Sequence, residues 1–167
     1  MKGRHRRIAL AVLTGAASLW PPAFGAPGAT TAFAVIVAPG SAAQHVTPRT
    51  SALIYRRKQT YWEDGTRVQP VNLPAASALR QEFSQCILGE APNAMENYWR
   101  EMYYHGVLPP HVVDSEQAVV LFVASTPGAI GYVSSCPKGI DVNVMFTVGD
   151  VPNCPHRAAS CESLQGL

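Results

Sequence analysis

The spacing of apolar positions divides the chain into short elements separated by turns. Phe33-Ala-Val-Ile-Val37 is a continuous apolar run closed by Pro39-Gly40, the form of a buried strand. Thr47 followed by Pro48 is an N-cap with proline at the first helical position, and it opens a helix to about Tyr55. Glu63-Asp64-Gly65-Thr66 is a turn signal, after which Val68 to Leu73 alternates apolar and polar residues as a strand does. From Ser77, the residues Leu79, Phe83, Cys86 and Ile87 recur at helical spacing, and Gly89 sits where a helix C-cap belongs. A second amphipathic helix is expected from Pro92, with Met95, Tyr98, Trp99, Met102 and Tyr103 on a stripe that packs into the core, ending at His105-Gly106. A third begins near Asp114-Ser115, with Gln117 placed to reach back to the cap, and runs to Thr126-Pro127. Ala129–Val133 and Asp141–Val148 then read as strands. No internal repeat and no linker long enough to separate two domains interrupts this order.

The first thirty residues have a different pattern. Lys2, Arg4, His5, Arg6 and Arg7 precede an apolar run from Ile8 to Trp20, which Pro21-Pro22 stops short of the ~20 residues a spanning helix needs. This is the form of an export signal, with Ala23-Phe24-Gly25 as the cleavage site and Ala26 as the mature start. A later match, Ala32-Phe33-Ala34, would cut into the first strand. The expected organisation is a signal peptide over 1–25, a folded domain over 26–148 and a cysteine-containing tail over 149–167, in a periplasmic or secreted protein with no membrane span after cleavage. Over the whole chain 13 Lys and Arg face 11 Asp and Glu, which gives no electrostatic reason to propose nucleic acid as a partner. The four basic residues Lys2, Arg4, Arg6 and Arg7 would leave with the leader, making the mature chain slightly acidic. Binding of an anion would then rest on local donors rather than on long-range attraction.

Enzymatic and metal readings find little to build on. The chain has no G-x-S-x-G, H-E-x-x-H, P-loop or C-x-x-C pattern. Nothing in the spacing of Ser77, His105, His111 and Asp114 brings them together as a triad. His111, after Pro109-Pro110, is read as a solvated loop residue. Four cysteines in an exported chain point to disulfides. Cys86, on the apolar face of its helix, is expected to be a buried free thiol. Cys154 is expected to pair with Cys161 or with Cys136. Cys136, Cys154, His156 and Cys161 together would suit zinc chemically, but C-x-H-x4-C is not a common metal knuckle and the compartment favours disulfides, so neither metal nor cofactor is expected. Arg56-Arg57-Lys58 beside Tyr55, Tyr61 and Trp62 is read as a solvated helix end, with attraction of an acidic ligand or a membrane headgroup as the other reading.

Several of these segments occur in a familiar order. Leu53-Ile-Tyr55 leads to Trp62-Glu-Asp-Gly65, then Val68-Gln-Pro-Val71, the Ser77 helix, Tyr98-Trp99 and Pro127-Gly-Ala-Ile-Gly-Tyr-Val133. Over about Phe33 to Val148 the chain resembles the phosphate-binding proteins of ABC transporters, as a small single-lobe member of the type 2 periplasmic binding protein superfamily. The resemblance implies an α/β fold with a mixed sheet flanked by helices, a non-enzymatic solute-binding role, phosphate or another small oxyanion as ligand, and an ABC permease or an envelope protein as partner. Its most specific segments, Tyr55 to Trp62 and Pro127-Gly-Ala-Ile-Gly-Tyr132, look like scaffold.

In the family's second lobe an Arg, three residues and then Ser-Gly-Thr open a helix onto the ligand. In this chain Leu73 stands at the Arg position, Ser77 matches the Ser, and Ala78 and Leu79 replace Gly and Thr. The candidate anion site is therefore Ser77 with the backbone N–H groups of Ala78, Leu79 and Arg80, the Arg80 side chain adding a displaced positive charge. Helix starts present unpaired donors and a positive dipole end to an anion. The other reading of Ser77 is an N-cap that serves only its own helix. Loss of the Arg and the Thr also leaves open a protein–protein interaction module that kept the scaffold and lost the anion site.

Overall fold

The computed structural model describes residues 32–41, 45–152 and 154. The expected signal peptide over 1–25, most of the expected tail and both His156 and Cys161 lie outside the described residues. The elements follow the order β1 (Ala34–Val37), α1 (Pro48–Tyr55), β2 (Gln69–Asn72), α2 (Ala78–Phe83), α3 (Glu96–Tyr104), β3 (His111–Val112), α4 (Glu116–Ser125), β4 (Ala129–Val133) and β5 (Asn143–Thr147). A single π turn, Ser84–Leu88, prolongs α2, and a short 3-10 turn, Val148–Asp150, follows β5.

The five strands form one open mixed sheet in the order β3-β2-β4-β1-β5. β2 runs parallel to both β3 and β4, while β1 is antiparallel to β4 and β5. β4 is buried along its whole length, as a central strand covered on both faces must be. Alternation divides its residues between the two faces. On one face Gly131 admits α4: a Cβ there would lie 2.6 Å from Val119 Cγ1 and 3.0 Å from Val123 Cγ2, so only glycine permits the close approach. On the other face Tyr132 stacks on Phe83 of α2, with ring centroids 3.9 Å apart and an interplanar angle of 5°, and Phe83 meets Tyr55 and Phe33 edge-on. Each aromatic pair adds ~0.5–1.5 kcal/mol to the burial of its area. The result is one α/β lobe with helices on both faces of the sheet.

Local chemistry accounts for the ends of these elements. Thr47 Oγ1 accepts from Thr50 N at 3.1 Å with Pro48 at the first turn, and Ser115 Oγ accepts from Ala118 N at 3.1 Å, so Ser115 caps α4 itself. Asp64 accepts from Thr66 N and Thr66 Oγ1, both at 2.8 Å, which makes the expected turn and holds its carboxyl below the usual range. Gly128 lies at φ 74, and a side chain there would strike the Arg67 carbonyl oxygen. The Gly128 carbonyl accepts from Trp62 Nε1 at 3.0 Å, and the Tyr55 hydroxyl donates to Val71 O at 3.1 Å. The two most specific segments of the sequence resemblance therefore touch each other and act as internal ties.

Four expectations need correction. Cys86 is not a free thiol: it is bonded to Cys154 across 68 positions of sequence, and no described cysteine is free. That bond rules out Cys154 pairing with Cys161 or Cys136, and Cys136 is itself disulfide-bonded, so the zinc set is excluded as well. The π turn explains the error about Cys86. Helical spacing placed it on the core face, but one extra residue per turn leaves it half-buried on the flank, while Ile87 and Leu88 take the core. Glu82, Cys86 and Cys154 lie within ligand distance of one another, yet both sulfurs are consumed by the bond. The α3 stripe packs only in part: Met95 is buried, Tyr98, Trp99 and Met102 are half-buried, and Tyr103 is 66% exposed. Lastly, His111 belongs to a two-residue edge strand rather than a loop.

Candidate functional site

β2 ends at Asn72, and Leu73 and Pro74 carry the chain over the end of the sheet to Ser77 and α2. Ser77 occupies the N-cap position with extended backbone angles (φ −65°, ψ 131°), but its side chain makes no capping bond. Its hydroxyl is therefore not spent on its own helix. Ala78 beside it is exposed and Ser77 is half-exposed, so the start of the helix meets solvent at these two residues. Leu73 and Leu79, which stand where the resemblance would have an Arg and a Thr, are core residues, each 3% exposed. Those two ligand positions have been converted to packing.

Arg80, one turn into the helix, is the unexpected member of this set. It is only 8% exposed, and its Nε and Nη1 atoms have no hydrogen-bond partner. No carboxylate among the described residues pairs with it; the one ion pair there is Arg56 with Glu90 at 3.8 Å. Burial holds the Arg80 guanidinium below its ordinary pKa, and the nearby Tyr132 and Tyr55 phenols act in the opposite direction. Those phenols belong to a buried polar layer under the end of β2. The Tyr132 hydroxyl donates to Asn72 Oδ1 and accepts from Leu73 N, both at 3.2 Å, while the Tyr55 hydroxyl donates to Val71 O and to Ile130 O at 3.3 Å. Burial pushes Tyr132 up to about 12 and Tyr55 well above its ordinary value. At neutral pH both are uncharged, so neither neutralises the guanidinium.

The segment from Ser77 to Arg80 thus carries an unspent hydroxyl, a helix start open to solvent at Ser77 and Ala78, and a buried cation with no counter-charge among the described residues. The sequence resemblance singled out Ser77 and the three backbone donors but treated the Arg80 side chain as an accessory. Its position three residues into an amphipathic helix, between Leu79 and Phe83, was the available signal that it points inward. Of the basic run, only Lys58 is exposed: Arg56 donates to Leu88 O at 2.7 Å, and Arg57 is half-buried with its backbone at φ 59.

No protein-family model and no curated protein matches the chain. Solved structures do. An ABC-type phosphate transport receptor from Vibrio cholerae superposes with a TM-score of 0.50 at 19% identity, over 70% of this chain and 47% of that one. A phosphate ABC transporter substrate-binding protein with bound phosphate from Clostridium perfringens gives 0.49 at 18% identity, over 60% and 38%. PstS from Borrelia burgdorferi gives 0.48 at 18%, over 61% and 40%. The chain spans less than half the length of each of these proteins. The likeness is one of fold: a single α/β lobe with a mixed open sheet flanked by helices. Among the described residues no helix is long and apolar enough to cross a membrane.

Proposed function

We propose that this chain is an exported, non-enzymatic solute-binding lobe that takes a small oxyanion, phosphate or a close analogue, at the start of α2. One observation carries the reading: Arg80 is a buried residue whose guanidinium Nε and Nη1 are unpartnered, and no carboxylate among the described residues pairs with it. A protein interior keeps a charge in that condition at a cost of several kcal/mol unless something of opposite sign comes to it. The Ser77 hydroxyl and the N–H groups of Ala78 and Leu79 supply the further donors of an oxyanion cradle. With Leu73 and Leu79 in the core, this cradle has fewer charged contacts than the family pattern, so affinity is weak unless a second wall closes over it. An ABC permease or another envelope protein is the class of partner that would provide that wall.

Titration calorimetry with phosphate and sulfate tests this. Wild-type protein gives a saturable signal in the millimolar range or tighter, Ser77→Ala weakens it a few-fold, and Arg80→Met abolishes it. Silence with both anions, or identical isotherms for wild type and Arg80→Met, removes the proposal. A second reading, a protein–protein interaction module, draws on α3, whose Tyr103 and Tyr104 are 66% and 81% exposed. Envelope pull-down with wild type and a Tyr103→Ser/Tyr104→Ser double variant separates the two, since only the interaction reading loses its partner with the tyrosines.

A further inference from the structure

A second place in the molecule collects positive charge without an acidic partner. At the opposite end of β2 from Ser77, a cavity of about 280 Å3 is lined by Arg57, Arg67, Pro109, Pro110, His111 and Phe122. Arg57 follows the C-terminus of α1 in the left-handed region (φ 59), the one described non-glycine residue with positive φ, and its Nε is buried without a hydrogen-bond partner. Arg67 enters from the turn before β2, and neither arginine has an ion-pair partner among the described residues. The two guanidiniums are close enough that Arg67, after burial itself, contributes to lowering the Arg57 pKa. Two like charges in one concavity repel, and an anion between them removes the repulsion and gains charge-assisted hydrogen bonds. Beside the arginines the cavity is lined by Pro109, Pro110 and the His111 and Phe122 rings, whose centroids lie 5.9 Å apart.

We infer that this cavity is a second ligand site, specific for a small ring-bearing organic anion whose carboxylate or phosphate bridges Arg57 and Arg67 while its body lies on Pro110 and Phe122. The site is independent of the α2 cradle, since the two lie at opposite ends of β2 and share no residue.

The test is a 15N-resolved NMR titration of the oxidised protein with phenyl phosphate, benzoate and inorganic phosphate. The expected result is a saturable shift of the Gln69, His111 and Val112 amides and of the Arg57 Nε–H signal. At least one of the two aromatic probes should bind more tightly than inorganic phosphate, and the tighter one assigns the head group. Arg57→Gly suits the left-handed backbone and folds without strain, and Arg67→Gln alters an exposed side chain. Each should weaken binding about tenfold, the loss of one charge-assisted pair, whereas Arg80→Met leaves it unchanged. No saturable shift at these positions with any probe at about 20 mM, shifts that persist unchanged in both variants, or inorganic phosphate binding as tightly as the aromatic anions would overturn the inference.

Discussion

Replacing Arg80 by Met should raise the stability of the protein and abolish its response to phosphate, and the pairing of those opposite effects is what a structural arginine would not give. Met reproduces the apolar stem of the side chain and omits the guanidinium fork. What leaves is the guanidinium of a residue that is 8% exposed, with Nε and Nη1 buried and unpartnered and the Tyr132 and Tyr55 phenols nearby. Leaving buried donors unsatisfied costs ~1–3 kcal/mol, more for a charged group, and replacing buried charge by a well-packed apolar side chain is commonly neutral or stabilising by ~1–4 kcal/mol. A gain of about 2 kcal/mol in phosphate-free buffer corresponds to a Tm rise of roughly 8 °C for a domain of this size. Urea unfolding followed by the fluorescence of buried Trp62, with calorimetry alongside, measures it. Phosphate in tenfold excess over its Kd should stabilise wild type by about 1.4 kcal/mol through mass action and the variant not at all. A variant less stable than wild type without phosphate would mean that the guanidinium has a structural partner. Equal phosphate shifts in both proteins would mean that it does not hold the anion.

Two further outcomes follow from the same structure. Breaking Cys86–Cys154 by a Cys86→Ala/Cys154→Ala double substitution releases a loop closed over 68 positions, which chain entropy values at ~4 kcal/mol; denaturant unfolding that differs by less than about 1 kcal/mol would show that the bond adds nothing. Tyr132, pushed up to about 12 by burial, and Tyr55, also raised well above its ordinary value by burial, have folded pKa values above their unfolded ones, so their contribution is complete below pH ~10 and is lost as pH rises from there. Phenolate absorbance for these two residues should therefore appear together with unfolding; full ionisation of all six tyrosines while the circular dichroism stays native would contradict it.

Local signals determined most of the elements because their causes are local. Thr47-Pro48, Ser115 and Gly89 act within a turn of their own position, and the short apolar run from Phe33 to Val37, closed by Pro39-Gly40, has the length and flanks of a strand buried on both faces. The order of those elements, with Trp62 and Gly128 to tie them, was enough to place the chain in an α/β lobe. Three features were beyond that reach. β3 has two residues, too few for a period, and exists because β2 offers it an edge. The Cys86–Cys154 bond depends on a π turn that rotates Cys86 to the flank and on a tail that returns across 68 positions, neither of which leaves a mark in spacing. The state of Arg80 is the clearest case. Its place on the helix is written in the sequence, but whether a buried cation finds a carboxylate depends on every element packed around it, and here the surrounding groups are phenols already committed to the backbone and to Asn72. The sequence by itself determined which residues lie at the helix start; only the tertiary structure decided that one of them would be left with a charge and no partner.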